Sequence, residues 1–338
     1  MRFAPSDEQR ELEAVVRQVL ADRCPPETVR AGAGSAQVAS LAEGLAGLGV
    51  AGLLVAEDDG GLGLDENYLV SVFEQIGYGA APLPLTATLA VAPAVLVSGA
   101  PALLASLVEG SLTVGADPAA TGRVAFGSGV DLVLSGGFGG AGRIEVFDVS
   151  EATASALPSV DFALDLTEHA DARLVATVDD PQVVRLAWER GVLAASAELI
   201  GLSRRMLELA VEHVRAREQF GVPIGSFQAV KHHLATALLQ LEFAAPVVAT
   251  AGFELAAGVP GRLRSLATAK ALASEAAHVV GRAALQCHGA IGYTTEYDLQ
   301  LFLKRSWALE SSWGSSSWHR AALLEDLGVG LTGVRPAS

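Results

Sequence analysis

The sequence predicts a mainly α protein in which a small β domain separates an N-terminal helical domain from a C-terminal four-helix bundle. Three observations predict it. Helix-period apolar patterns fill residues 1–111, and short β-type runs separated by glycines are confined to residues 112–180. Four long segments rich in Ala and Leu, both strong helix formers, then occupy residues 181–330.

The first element is "SDEQRELEAVVRQVLADR". Ser6 and Gln9 have capping-box spacing, and Leu12, Val15, Val16, Val19 and Leu20 form one apolar face. "LAEGLAGLGVAGLLV" reads as a short helix running into an extended apolar piece, and "AEDDGGLGL" as a turn cluster. "NYLVSVFEQIGYGAAPLPL" is a helix stopped by Gly77, Gly79 and Pro82. The uncharged stretch from Leu85 to Val108 is long enough to span a bilayer, but Pro93, Gly99 and Pro101 interrupt it. It reads as two buried helices with a break.

In the β region, "DLVLS", "RIEVFDV" and "DARLVATV" are the expected strands. The bundle helices are expected in "PQVVRLAWERGVLAASAELIGLSRRMLELAVEHVRAREQFG" (one long helix or two in series), "SFQAVKHHLATALLQLEFAAPVVATAGFELAAG", "GRLRSLATAKALASEAAHVVGRAALQCHG" and "TEYDLQLFLKRSWALESS".

A chain of 338 residues with half its residues hydrophobic can bury a large core. The formal charge of −15 argues against nucleic acid as a partner, because phosphate binding needs a basic face. Two cysteines, Cys24 and Cys287, make no disulfide framework, so a reducing cytoplasm is expected. The N-terminus has no apolar signal core, and no membrane span is expected. The histidines lack metal-ligand spacing, so no metal site is expected and they read as surface or capping residues. "SSWGSSSW" is not a nucleophile elbow. "GFGGAG", Gly137 to Gly142, satisfies G-x-G-x-x-G, but a strand follows it where dinucleotide binding needs a helix, so it reads as a loop.

"HVRAREQFGVPIGSFQAVKHHLA" is more informative. Arg217 lies in the last turn of one helix, Gln219 and Phe220 leave it, and Ser226 caps the next helix with Gln228 in its first turn. A guanidinium, two amides and an aromatic face suit an anionic, planar ligand. The same residues equally suit a plain helix corner whose basic end complements the helix dipole. "LQCHGAIGYTTEYD" adds Gln286 at another helix end, before Gly289 and Gly292, whose backbone can approach a ligand closely. Two such loops can meet across a subunit interface.

These segments resemble the acyl-CoA dehydrogenase family of flavoproteins. "REQFGVPIGSFQAVKHHLA" is similar to its R-x-x-F-G-x-x-I-x-x-x-Q segment, and "QCHGAIGYTTEYDLQLFLKR" to its Q-x-x-G-G-x-G-Y segment. The N-terminal helices and the "AEDDGGLGL" turn are similar too, so the resemblance runs along nearly the whole chain. It implies a helical domain, a small β domain and a four-helix bundle, assembled as a tetramer. It implies FAD, with Arg217, Gln219, Phe220 and Gln228 on its diphosphate and adenosine half, and Gln286 and Gly289 holding the same half from the neighbouring chain. The implied reaction is α,β-dehydrogenation of an acyl-CoA thioester, fatty or steroid, in which a carboxylate takes the α-proton and flavin N5 takes the β-hydride. Electron-transfer flavoprotein is the implied electron acceptor.

The chain departs from the family in two places. "SSWGSSSWHR" stands where the family's Y-E-G-T-S loop carries the base, and Trp313 occupies the Glu position. Glu189 is the candidate base on the bundle's first helix, about two positions off register, an offset of roughly 200° on a helix. Glu310 is the further candidate. The β domain is reduced as well: "VGADPAATGR" replaces T-E-P-x-A-G-S-D, and the region holds no Trp. The adenosine-half motifs survive while the ring and base motifs do not. That asymmetry is similar to short subunits of heterotetrameric acyl-CoA dehydrogenases, whose longer partner supplies ring pocket and base. A self-sufficient homotetramer and a non-catalytic flavin- or partner-binding paralogue are the alternatives.

Overall fold

The computed structural model describes residues 5–137 and 142–329. Six helices open the chain: α1 (Asp7–Arg23), α2 (Pro26–Ala31), α3 (Ala36–Ala46), α4 (Glu66–Gly79), α5 (Ala92–Gly99) and α6 (Leu104–Val108). Ser6 caps α1 through the full capping box with Gln9. Its buried face is narrower than the pattern predicts: Val16 and Leu20 are buried, but Val15 is exposed. The extended piece expected after α3 is instead a single 3-10 turn, Val50–Gly52.

Gly77 does not stop α4. It lies inside the helix, where a Cβ would collide with the Glu198 carbonyl. The glycine is a packing requirement, not a terminator. The apolar 85–108 stretch is a π-helical turn, Thr86–Val91, running into α5 and then, past Ala100, a 3-10 turn and α6. Pro93 sits just past the junction between the π-helical turn and α5.

The main sheet has strand order β1-β2-β3-β6, formed by Val114–Asp117, Leu132–Gly136, Ile144–Asp148 and Arg173–Val178. β2 and β3 pair antiparallel across the Gly137–Gly142 motif, most of which (138–141) lies outside the described residues. β4 (Thr153–Ala156) and β5 (Thr167–Ala170) form a separate hairpin that the sequence pattern missed, because β4 is exposed and lacks an apolar face.

The C-terminal half is built around α7 (Pro181–Ala216), one continuous helix of 36 residues. Every residue from Gly191 to Ser203 is buried, as in a helix enclosed on all sides. Ser196 and Ser203 donate to the carbonyls of Val192 and Leu199, so their hydroxyls are satisfied. α8 (Gln228–Ala256), α9 (Arg262–His288) and α10 (Leu299–Ser311) complete the bundle, and α11 (Ser316–Asp326), capped by Ser315, closes its end. α11 was not expected, because its serine-rich start reads as loop. Among the described residues one helix, α8, is long and apolar enough to cross a bilayer. It packs on α7 and α9 with one face and leaves Leu238, Leu239 and Phe243 exposed on the other.

Candidate functional site

Two cavities adjoin the first half of α7. The larger, about 950 Å³, lies where the N-terminal helices, the β region and the bundle meet, between Leu83–Ala87, Ala116–Phe126 and Trp307–Gly314. Asp117 shapes its β wall by accepting from the Thr121 hydroxyl (3.1 Å) and the Gly122 amide (2.6 Å). The smaller, about 610 Å³, is lined by Arg185, Glu189, Arg264, His319 and Asp326 among others. Trp188 and Trp318 line both. Trp188 packs between Trp313 and Trp318, with ring centroids 5.8 and 5.4 Å away, so an aromatic cluster forms the partition.

Trp313 is buried and lines the larger cavity. Its indole lies against Gly191 of α7, where any Cβ would collide with the ring. The loop that carries it is held by Lys270 of α9, a fully buried ammonium. Lys270 Nζ donates to the carbonyls of Leu309, Glu310 and Gly314 and to Ser274, at 3.0–3.3 Å. Burial, only partly opposed by Glu310, lowers this amine to about 7. His319 anchors the same loop through Nε2 and the Trp313 carbonyl (2.9 Å), and burial lowers it to about 4. His288 and His319 are thus core residues, not the surface or capping residues expected.

Neither expected base reaches the larger cavity. Glu189 sits in the third turn of α7, fully buried, with Oε2 accepting from Arg262 Nε at 3.0 Å, and it lines the smaller cavity. Burial raises its carboxyl, against the pull of Arg262. Glu310 lines neither cavity and lies 3.9 Å from His278 Nδ1.

Besides Asp117, the cavity is lined by a second carboxyl residue, Glu198, which the sequence reading passed over. Its signal was visible: it is the one ionisable residue in the buried run "GVLAASAELIGLS". Burial raises Glu198 to about 7, although Arg305 pulls the other way. Arg305 of α10 is also buried. Its Nε donates to Asp161 Oδ2 (2.6 Å) and its Nη1 to the Ala81 carbonyl (3.0 Å), and the guanidinium lies 4.8 Å over the Phe126 ring.

The expected FAD-binding residues lie elsewhere. Arg217 follows the end of α7, and a tight hairpin pairs β7 (Glu218–Gln219) with β8 (Val222–Pro223). Its central residues, Phe220 and Gly221, both have positive φ, 53° and 80°. This left-handed conformation is costly for Phe, and it leaves the ring 92 % exposed. Phe227, not Ser226, is the N-cap of α8 and makes no side-chain cap; its ring meets Phe220 edge-on at 6.2 Å. Gln219, Gln228, Gln286 and Gly289 are exposed.

His213 of α7 stacks on His288 of α9 at 4.4 Å. The Arg217 and Gly289 loops are therefore brought to one end of the same bundle, within one chain. None of the six residues lines either cavity. Arg217 is 19 residues beyond Glu198, about 28 Å along the helix axis.

An exposed guanidinium that makes no ion pair among the described residues, three amides and an upturned phenyl face fit the diphosphate and adenine half of FAD. The larger cavity has room for a planar apolar group. It offers only Asp117, held in its loop, and Glu198 as carboxylates.

The known proteins agree with this architecture. The acyl-CoA dehydrogenase N-terminal domain matches residues 6–110 and the C-terminal domain residues 182–328. The chain is 34 % identical over 327 residues to acyl-CoA dehydrogenase FadE34 of Mycobacterium tuberculosis, covering 87 % of this chain and 44 % of that protein. It is 31 % identical over 311 residues to acyl-CoA dehydrogenase IpdE2 of the same organism, covering 90 % and 92 %. A chain of the ChsE4-ChsE5 complex from M. tuberculosis has the same fold, with a TM-score of 0.80 and 24 % identity over 99 % of this chain and all of that one. The chain belongs to the acyl-CoA dehydrogenase family, whose members are FAD-dependent oxidoreductases. It spans less than half the length of FadE34 and nearly all of IpdE2.

Proposed function

We propose that this chain is an accessory subunit of an acyl-CoA dehydrogenase. It completes the FAD site of a longer homologous chain that carries out α,β-dehydrogenation of an acyl-CoA thioester. The observation that carries this reading is the separation between two surfaces. The residues suited to FAD's adenosine half face outward at one end of the bundle. The chain's own cavity begins some 28 Å away along α7, at Glu198, and has Trp313 against Gly191 and neither expected base. Among the described residues neither cavity reaches this wall, which supports a cofactor held by another chain.

FAD, when bound, supplies the acceptor for the hydride leaving the substrate β-carbon. Arg217 neutralises diphosphate charge, Phe220 and Phe227 offer ring faces to the adenine, and Gln219, Gln228 and Gln286 donate or accept at its edges. Gly289, with φ 62°, lets backbone approach without a Cβ in the way.

Two further features support a protein partner. The exposed Leu238, Leu239 and Phe243 of α8 form an apolar strip of the kind interfaces cover. FadE34 also contains more chain outside the match than inside it, enough for a second unit of this size.

The decisive experiment is the flavin-to-protein ratio and native mass of the chain purified alone and co-expressed with a longer homologue. The accessory reading expects little FAD on the isolated chain and fewer FAD than chains in the complex. One FAD per chain in an active homo-oligomer would replace it with the self-sufficient enzyme.

A further inference from the structure

The two loops of the FAD wall leave different helices, and an aromatic stack joins those helices at that end. His213, in the last turn of α7, stacks on His288, the last residue of α9. The ring centroids are 4.4 Å apart and the planes 27° from parallel. Tyr297 closes the stack, 4.7 Å from His288 and 6.0 Å from His213. None of the three lines either cavity.

Each histidine is tied directly to a wall residue. The His213 carbonyl accepts from the Arg217 amide at 2.9 Å, so the backbone that leaves α7 is fastened to the stacked residue. His288 immediately precedes Gly289, whose φ of 62° turns the chain out of α9. Gly292 packs back on His288, where a Cβ would come within 2.9 Å of the His288 Cβ. A shift of either ring therefore carries Arg217 or Gly289 with it.

The stack is built for uncharged rings. His288 Nδ1 lies 2.7 Å from the Ala284 carbonyl. A carbonyl only accepts, so Nδ1 carries the proton and Nε2 is bare. Nε2 is buried and has no hydrogen-bond partner among the described residues. A second proton would place there an N–H without an acceptor, and would set a charge against the face of His213.

Neighbouring charges do not compensate. Arg217 adds positive charge beside His213. Glu212 and Asp298 bear on Tyr297, partly offset by Arg205, and Asp298 is itself paired with Arg30 of α2. The one histidine–carboxylate approach among the described residues is elsewhere, at His278. Burial lowers both imidazoles, aided by Arg217 at His213 and by His213 at His288, against the pull of the Ala284 carbonyl.

We propose that His213 and His288 are positioning residues for the FAD wall: stacked and neutral, they hold the Arg217 hairpin in register with the Gly289 turn, and protonated, they repel, part the two loops and loosen the flavin. The hold is complete above about pH 6.5, where a free imidazole titrates, and is lost as pH falls below it. The inference rests on the reading above for the placement of FAD on this wall.

The first test needs no flavin. It is an NMR titration of the full chain with ring-labelled histidine, each signal assigned by its His→Phe variant. His213 and His288 are expected to titrate below about 6.5, and His213→Phe to raise the His288 midpoint by removing the charge it faces. Either ring titrating at or above that value, or a His288 midpoint indifferent to His213→Phe, overturns the coupled pair.

The second test is FAD retention by the flavin-loaded complex at about pH 7.5 and about pH 5.5. Wild type is expected to hold FAD about tenfold more weakly in acid, the equivalent of one pKa unit between the closed and parted loops. His213→Phe/His288→Phe keeps an aromatic stack that cannot ionise. It is expected to match wild type within about twofold at the higher pH and to lose the acid effect. The double Ala variant is expected to be weak at both. An acid effect that survives in the Phe variant, or full retention in the Ala variant, overturns the positioning role. Arg217→Ala tells two failures apart. FAD held as in wild type overturns the wall and the inference with it. FAD lost by Arg217→Ala but indifferent to pH in wild type overturns only the role of the histidines.

Discussion

Trp313 lies directly against Gly191, and each defines what the other position can be. The indole leaves no room for a side chain on that face of α7, and the missing side chain lets the indole reach the helix. Trp313 is a packing residue on the bundle's central helix.

This pairing makes a coupling prediction. Gly191→Ala should cost about 2 kcal/mol by overpacking against the ring. In a Trp313→Ala background the same change should be neutral or stabilising by up to about 1 kcal/mol, because Ala is the better helix former. Urea denaturation of the four variants measures the coupling, and simple additivity would show that the two residues do not meet.

The bundle-end wall should be separable from stability. Arg217→Ala and Phe220→Ala alter exposed side chains, so the isolated chain should unfold within about 0.5 kcal/mol of wild type. In the flavin-loaded complex, each should weaken FAD retention about tenfold or more. Ultrafiltration followed by flavin absorbance reads this directly. Unchanged retention in both variants would remove the wall from the FAD site.

Glu189 is bound to Arg262 and lies outside the larger cavity. Glu189→Gln should therefore leave the turnover of the loaded complex within about twofold, where loss of a general base costs at least about a hundredfold. Steady-state assays with acyl-CoA distinguish the two, and a large drop would return Glu189 to the catalytic machinery.

Glu198 gives the protein a pH-dependent liability. Its folded carboxyl lies at about 7, above the 4.5 of an unperturbed Glu, so the native state holds the proton more tightly. Its contribution is fully present below about 4.5 and is lost as pH rises through about 7, by roughly 3 kcal/mol at most. Glu198→Gln cannot ionise. Its melting temperature should match wild type near pH 4.5 and exceed it increasingly toward pH 8. Parallel melting curves at both pH values would mean that Glu198 is charged in the fold.

Lys270 holds the Trp313 loop by three backbone carbonyls. Lys270→Met should destabilise the chain by about 2 kcal/mol, chiefly because those carbonyls lose their donor. The loosened loop should also raise Trp313 quenching by acrylamide, measured with Trp188, Trp307 and Trp318 replaced by Phe. Unaltered quenching would place the loop's rigidity elsewhere.

The sequence by itself determined the order of helical, β and helical parts, because apolar periods of 3.6 and 2 are local properties of the chain. It also marked the Arg217 and Gln286 segments, since turn glycines and terminal polar residues stand out from the helices around them. It flagged that Trp313 cannot take a proton. Tertiary structure decided the rest. Gly77 reads as a helix stop until α7 is seen pressing on it. Glu189 and Glu198 lie on the same helix, and only the uncharged run around Glu198 sets the two apart in sequence. Which one meets a cavity and which meets a cation depend on neighbours distant along the chain: Arg262 lies 73 residues from Glu189, and Arg305 lies well over a hundred positions beyond the start of α7. Burial and charge pairing are properties of the assembled core, and a single chain of letters carries no record of those distances.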